Sequence, residues 1–258
     1  MRIALGIEYD GRDFSGWQRQ AGTRTVQACL EQALSKVAAV PVSLVCAGRT
    51  DAGVHAVGQI AHFDTPSLRS ERSWVLGANA NLPEAISVQW AIEVDESFHA
   101  RFSAISRRYR YVILSRWVRP GLLRGKVTWV HAELDIDAMR EAAAHLVGRH
   151  DFSSYRALAC QAKSPVRTVH RIELTREDDF IYLDIHANAF LHHMVRNIAG
   201  VLIGIGKREH GPDWSREILE YRDRTRGGVT APADGLYFVH VEYPPEHSLP
   251  QTQRAPRF

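Results

Sequence analysis

Cysteine is scarce. Cys29, Cys46 and Cys160 are the only three in 258 residues, odd in number and widely spaced. That excludes a disulfide framework and the paired spacing of zinc ligands, and it points to a reducing compartment, the cytoplasm. Long apolar runs are also missing. The longest, from Ile198 to Gly206, is interrupted by glycines and falls short of the roughly 20 residues needed to span a bilayer. The opening MRIALGIEYDG lacks the apolar core and cleavage site of a signal peptide and reads as a strand entering a turn. No P-loop, GxGxxG after a strand, GxSxG or CxxC occurs, which removes several common nucleotide, hydrolase and dithiol chemistries. Nothing in the residues asks for a cofactor or a metal.

Acidic side chains are missing from one long stretch. Between Ile105 and Ala132 there are seven basic residues and no Asp or Glu: Arg107, Arg108, Arg110, Arg116, Arg119, Arg124 and Lys126. Tyr109, Tyr111, Trp117 and Trp129 interleave them. Cations for phosphates and rings for bases are what a nucleic-acid surface needs, although a solvated strand face beside a core has the same look. The net charge of +3 is unevenly spread, at −2 over residues 1–104 and +5 over 105–258. With 45% hydrophobic and 24% charged residues, the chain is globular and long enough for one large domain or two ordinary ones.

The first half alternates elements clearly. Residues 3–11 have strand character closed by Asp10-Gly11, and 25–40 have helical spacing with Thr25 as N-cap. Strands are predicted over 42–48, 57–65 and 86–94, with a helix over 70–80. The order β-α-β-β-α-β is the ferredoxin-like, split βαβ pattern. The second half is a looser copy, with strands over 107–115, about 126–131, 169–177, 180–190 and 236–244. Helices fall over 137–148, 191–206 and 213–222. The expected fold is therefore α/β (α+β), two ferredoxin-like halves with mostly antiparallel mixed sheets. An N-terminal domain covers 1–104, a C-terminal domain with the basic strand covers 105–245, and a loosely ordered tail covers 246–258.

Two places could carry chemistry. AGRTDAGVHAVGQIAHF (47–63) sets Arg49, Thr50, Asp51 and His55 in a glycine-bracketed loop after a strand. A scaffolded loop can present a carboxylate, and Arg49 can orient it. An ordinary Asx-type turn fits the same residues, so the pattern leaves both readings open. In the helix predicted over 191–206, Leu191, Met194, Val195, Ile198, Ala199 and Leu202 form an apolar face, with His192 and Arg196 as i, i+4 neighbours beside it. An arginine on so apolar a helix needs a partner, and Asp51 is the obvious candidate if the two halves pack sheet to sheet, although a solvated or locally paired arginine is the commoner case. His192 and His193 would point about 100° apart on a helix and could not share a metal there.

GRTDAGVHA with Asp51 resembles the signature of the TruA family of tRNA pseudouridine synthases. IEYDGRDFSGWQRQ (7–20), FHARFSAISRRYRY (98–111), DFSSYRA (151–157), NAFLHHMVRN (188–197) and ADGLYFVHV (233–241) look like further family blocks, in the family's order. The resemblance implies a pseudouridine synthase fold with Asp51 as the essential aspartate. It further implies Tyr109 stacking near the target uracil, Arg196 paired with the aspartate, Leu236 lining the base pocket and Arg49 helping to hold the nucleotide out of its helix. It also implies a cytoplasmic homodimer, working without metal or cofactor and away from membranes, that isomerises uridines 38, 39 and 40 in the tRNA anticodon arm. A non-catalytic RNA-binding module would explain the basic segment but not the Arg49/Asp51 loop.

Overall fold

The computed structural model describes residues 1–250 and 255–258. The chain forms two compact units. One runs from Met1 to Ser106 and takes in the last strand from Tyr237; the other runs from Arg107 to Leu236 and takes in Phe258.

The first unit follows the expected order: β1 (Arg2–Tyr9), α1 (Val26–Ala38), β2 (Val45–Cys46), β3 (His55–Asp64), α2 (Glu71–Asn79) and β4 (Ile86–Val94). β1 is central, antiparallel to β3 on one side and to β4 on the other. α1 buries Val26, Leu30, Ala33 and Leu34, the face its spacing predicts. Thr25 sits at the N-cap position in extended conformation, but its side chain makes no capping bond. Ser70, in contrast, caps α2 by accepting from the Ser73 N–H.

The strand expected over 42–48 shrinks to two residues. The reason is hydrogen-bond competition from α1. Leu44 N–H donates to Glu31 Oε1 at 2.9 Å, Gln27 Nε2 donates to Leu44 O at 3.3 Å, and Val42 N–H donates to Ser35 Oγ at 2.9 Å. Backbone groups satisfied by helix side chains have no need of a ladder partner. Glu31 is itself buried and also meets Arg19 and Gln27.

β10 (Leu236–Glu242) joins this unit by pairing in parallel with the start of β3, Tyr237 opposite His55 and Phe238 opposite Ala56. β2 pairs antiparallel with the other end of the same edge, Val45 opposite His62. Phe98 and Tyr243 seal the bottom of this core, and the Tyr243 hydroxyl donates to Ala100 O at 2.6 Å.

The second unit contains β5 (Ser106–Ser115), β6 (Thr128–Val130), α3 (Ile136–Ala144), β7 (Gly148–Asp151), β8 (Val166–Glu177), β9 (Phe180–Ala187), α4 (Met194–Gly206) and α5 (Trp214–Tyr221). Its sheet runs β5-β9-β8-β7, antiparallel throughout, with short β6 parallel to β5. β7 has no signal in its sequence, GRHD, and exists because β8 offers it an edge. The α/β class with mostly antiparallel pairing is the one expected. Among the described residues, no helix is long and apolar enough to cross a membrane.

α4 departs from its expectation in two ways. It begins at Met194, because His193 takes a left-handed φ of 63° and the His192 carbonyl accepts from Ala157 N–H at 2.8 Å. His192 and Arg196 are therefore not i, i+4 neighbours on one helix. Nor does α4 have a single apolar face: its residues are buried nearly all round. Of the tail at 246–258, Pro245–His247 forms a 3-10 turn, and residues 251–254 lie outside the described residues.

Two predictions follow from this packing. A Cβ on Gly200, mid-α4, would sit 1.8 Å from the Val229 carbonyl oxygen. Gly200→Ala should therefore lose stability, by about 1–3 kcal/mol in urea melts, although alanine is the better helix former. Burial, with help from Arg2 and His99, pushes His62 down from 6.5 to about 4. The fold thus favours neutral His62, whose Nδ1 accepts from Ala100 N–H at 3.1 Å. Its contribution should be complete above pH 6.5 and fade as pH falls towards 4. The unfolding free energy of His62→Asn, measured across that window, should lack the corresponding one-proton slope.

Candidate active site

The 48–55 loop is built from the inside out. Thr50 is buried, and its Oγ1 lies 2.8 Å from the Tyr9 hydroxyl at the end of β1. Burial raises Tyr9 well above the usual phenol range, so it stays protonated and available as a donor. The Thr50 carbonyl accepts from Trp17 N–H at 3.0 Å, and Gly53 N–H donates to Phe14 O at 3.3 Å. Gln59 Nε2, on β3, donates to Gly48 O at 2.7 Å. Val54 N–H returns to Asp51 O at 3.2 Å, closing the turn. Apart from this last bond, every partner comes from β1, β3 or the 10–17 segment.

Gly16 shows how close that segment lies. Its φ is +85°, and a Cβ there would come within 2.6 Å of Thr50 O and 3.0 Å of Asp51 C. At the loop's far end, buried His55 stacks on Tyr237 with ring centroids 4.7 Å apart. Its Nδ1 lies 3.1 Å from Gly11 N and 3.2 Å from an Asp10 carboxylate oxygen. Burial pushes Asp10 upward, but hydrogen bonds from Arg12 and the nearby His55 outweigh it, and the carboxyl lies below its usual range.

Asp51 itself is half-buried, and Arg49 is exposed. The loop therefore has a fixed floor and an accessible carboxylate, which is more than an Asx-type turn requires. Cys46, just before the loop, stays a neutral thiol: burial pushes it up to about 12, against the opposing pull of Arg49.

In the second unit, Arg196 and Leu236 are joined by one stretch of chain. Arg196 Nε donates to Ala231 O at 2.8 Å, while the Arg196 carbonyl accepts from Ala231 N–H at 3.1 Å. The Tyr111 hydroxyl donates to Pro232 O at 2.8 Å and lies 2.6 Å from Thr128 Oγ1. Leu236 N–H then donates to Ala233 O at 2.8 Å, and the side chain is 5% exposed. Residues 231–236 thus pass over β5, held at both ends. Tyr109, two residues before Tyr111 on the same face, is 9% exposed and meets Phe190 edge to face at 4.8 Å.

The basic segment divides. Arg110 is spent on structure, gripping Asp184 through two bonds of 2.8 and 2.7 Å and lying over the Tyr182 ring. Arg107 donates to Asn188 O at 3.0 Å. Arg108, Arg119 and Arg124 are exposed. Asp51 and Arg49 stand out in the sequence; the supporting roles of Tyr9, Gly16, Trp17 and Gln59 do not, and Tyr111, expected as a surface ring of the basic segment, is instead buried and holds Pro232. The glycine at 16, between an aromatic at 14 and another at 17, was the available signal.

The loop's support can be tested apart from its carboxylate. Gly16→Ala should displace Thr50 and Asp51, lowering turnover by about tenfold or more, with the fold retained. Circular dichroism and single-turnover rates, measured together, would show it; an unchanged rate would mean that the 10–17 segment does not position the loop.

A family model described as tRNA pseudouridine synthase matches residues 6–103 and 142–244. The tRNA pseudouridine synthase A of Nitrosococcus oceani is 61% identical over 98% of this chain and 98% of its own length. That of Alcanivorax borkumensis is 57% identical over 99% and 96%, and that of Pseudomonas aeruginosa 59% identical over 100% and 90%. With a carboxylate presented by the GRTDAGVH loop and identity of this extent along nearly the whole chain, the protein belongs to the tRNA pseudouridine synthase family.

Proposed function

We propose that this chain isomerises uridine to pseudouridine at positions 38, 39 and 40 of the tRNA anticodon arm, with Asp51 as the essential carboxylate. The observation that carries the reading is the accessible Asp51 on a loop whose neighbours are held by buried bonds to Tyr9, Trp17 and Gln59. Family membership supplies the reaction class: an isomerase acting on uridine in tRNA.

The reaction breaks the bond between uracil N1 and the ribose anomeric carbon and makes a bond from uracil C5 to that carbon. N1 gains a proton and C5 loses one, so the atoms balance without a cosubstrate. This reading therefore assigns no metal or cofactor. An ionised carboxylate can act in three ways: as nucleophile at the anomeric carbon, as base at the neighbouring sugar carbon, or by attack on the uracil ring. All three need Asp51 charged, and Arg196 is the proposed partner that would favour that form.

The detached uracil must be retained while it turns. Tyr109 offers a ring face and Leu236 an apolar wall. Drawing the base from its stack costs a few kcal/mol, which phosphate contacts to the exposed arginines would offset. Arg49, exposed beside Asp51, suits a role in holding the extruded nucleotide. The enzyme is read as a cytoplasmic homodimer, as its resemblance to the family implies. A binding module without catalysis is disfavoured on electrostatic grounds. A carboxylate presented by a scaffolded loop repels phosphate and works against binding alone.

The test is a pseudouridine assay on an unmodified tRNA transcript carrying uridines at 38–40, with no added metal. Wild type should form pseudouridine at those positions, and Asp51→Ala and Asp51→Asn should form none while binding the transcript within about threefold of wild type. Activity in Asp51→Asn above a thousandth of wild type would overturn the assignment of Asp51.

A further inference from the structure

We infer a nucleobase-stacking platform on the second unit, made of Trp117, His131 and Trp129, that docks an unpaired stretch of the tRNA away from the reacting uridine. The inference rests on tRNA being the substrate.

The three rings form a surface ladder. Trp117 meets His131 edge-on, with centroids 4.3 Å apart and 70° between planes. His131 lies nearly parallel to Trp129, at 5.5 Å and 23°. Trp117 is 79% exposed and Trp129 38%, and neither is needed to fill the core. Leu122, in the same loop, is 97% exposed.

The backbone beneath the ladder is locked. β6 pairs with β5, Leu114 opposite Trp129 and Ser115 opposite Val130. Trp129 Nε1 donates to Arg116 O at 2.8 Å, Arg116 N–H donates to Val130 O at 3.2 Å, and Ser115 Oγ donates to Ala132 O at 2.7 Å. Exposed indoles on a fixed base lose little conformational entropy when a flat ligand arrives.

Charge selects the occupant. Arg116, Arg119, Arg124 and Lys126 fall within eleven residues that contain no acid. Arg116 is 3.9 Å from Asp179, which offsets part of its charge, while Arg119 and Arg124 are exposed. A second copy of the chain seated here by two-fold symmetry would bring these cations against their own images. A polyanion with exposed rings is the complementary partner, and stacking on an aromatic tolerates any base.

The experiment measures binding of an unmodified tRNA transcript to the full chain by filter retention over a salt series, with sedimentation velocity on the same samples. Trp117→Ala should weaken binding by about tenfold at unchanged sedimentation mass, and Trp117→Phe should restore most of it. The double variant Arg119→Ala with Arg124→Ala should weaken binding and lower the log–log salt slope by about one to two. Wild-type affinity in Trp117→Ala would overturn the platform. So would a loss accompanied by a halved sedimentation mass, since the face would then be a contact between copies. The two readings fail separately: wild type that binds tRNA through Trp117 but makes no pseudouridine sinks the proposed reaction and leaves the platform standing.

Discussion

Thr50 is the residue on which the geometry of the 48–55 loop depends. Its hydroxyl meets Tyr9 on β1, and its carbonyl takes the Trp17 N–H. One buried residue is thereby tied to a strand end and to the segment that follows it. Asp51 comes next in the chain, so its backbone direction is set before any substrate contact. The cost of misplacing a reacting group by even 1 Å is on the order of a hundredfold in rate, and such double anchoring guards against it. The buried bonds are also hard to break singly, because an orphaned hydroxyl or carbonyl in that position costs about 1–3 kcal/mol.

The second unit uses the same device with different atoms. Arg196 engages residue 231 with its side chain and its own carbonyl, and Tyr111 holds residue 232. The stretch leading into Leu236 is so pinned between α4 and β5. In the first unit the half-buried Asp51 follows the anchored Thr50 in the chain; in the second, Leu236 follows the anchored stretch at 231–232. Anchors can then be buried while their neighbours remain available.

Regular, strongly patterned elements were legible in the sequence. α1, β1, β3 and β4 emerged within a few residues, because one face of each is apolar at the right period. What was not legible depended on partners distant in sequence. The strand over 42–48 failed because Glu31, Gln27 and Ser35 capture its backbone groups. The start of α4 moved because the His192 carbonyl is claimed by Ala157. Arg110 looked like a phosphate ligand until Asp184 stood opposite it on β9. Of the candidate site, the motif around Asp51 could be read directly. The floor beneath it was less legible: Gly16 stands out between two aromatics, but Tyr9 and Gln59 carry no local sign of their job.

The edge of β3 has a further consequence, in time rather than in space. β10 covers the start of that edge, and its Tyr237 stacks on His55 at the end of the Asp51 loop. During synthesis β3 must wait for about 170 more residues before that partner exists, roughly 10–35 s at ordinary translation rates. Until then the edge is open, and the loop lacks one of its walls. Completion of the Asp51 loop is thus postponed until β10 has been made.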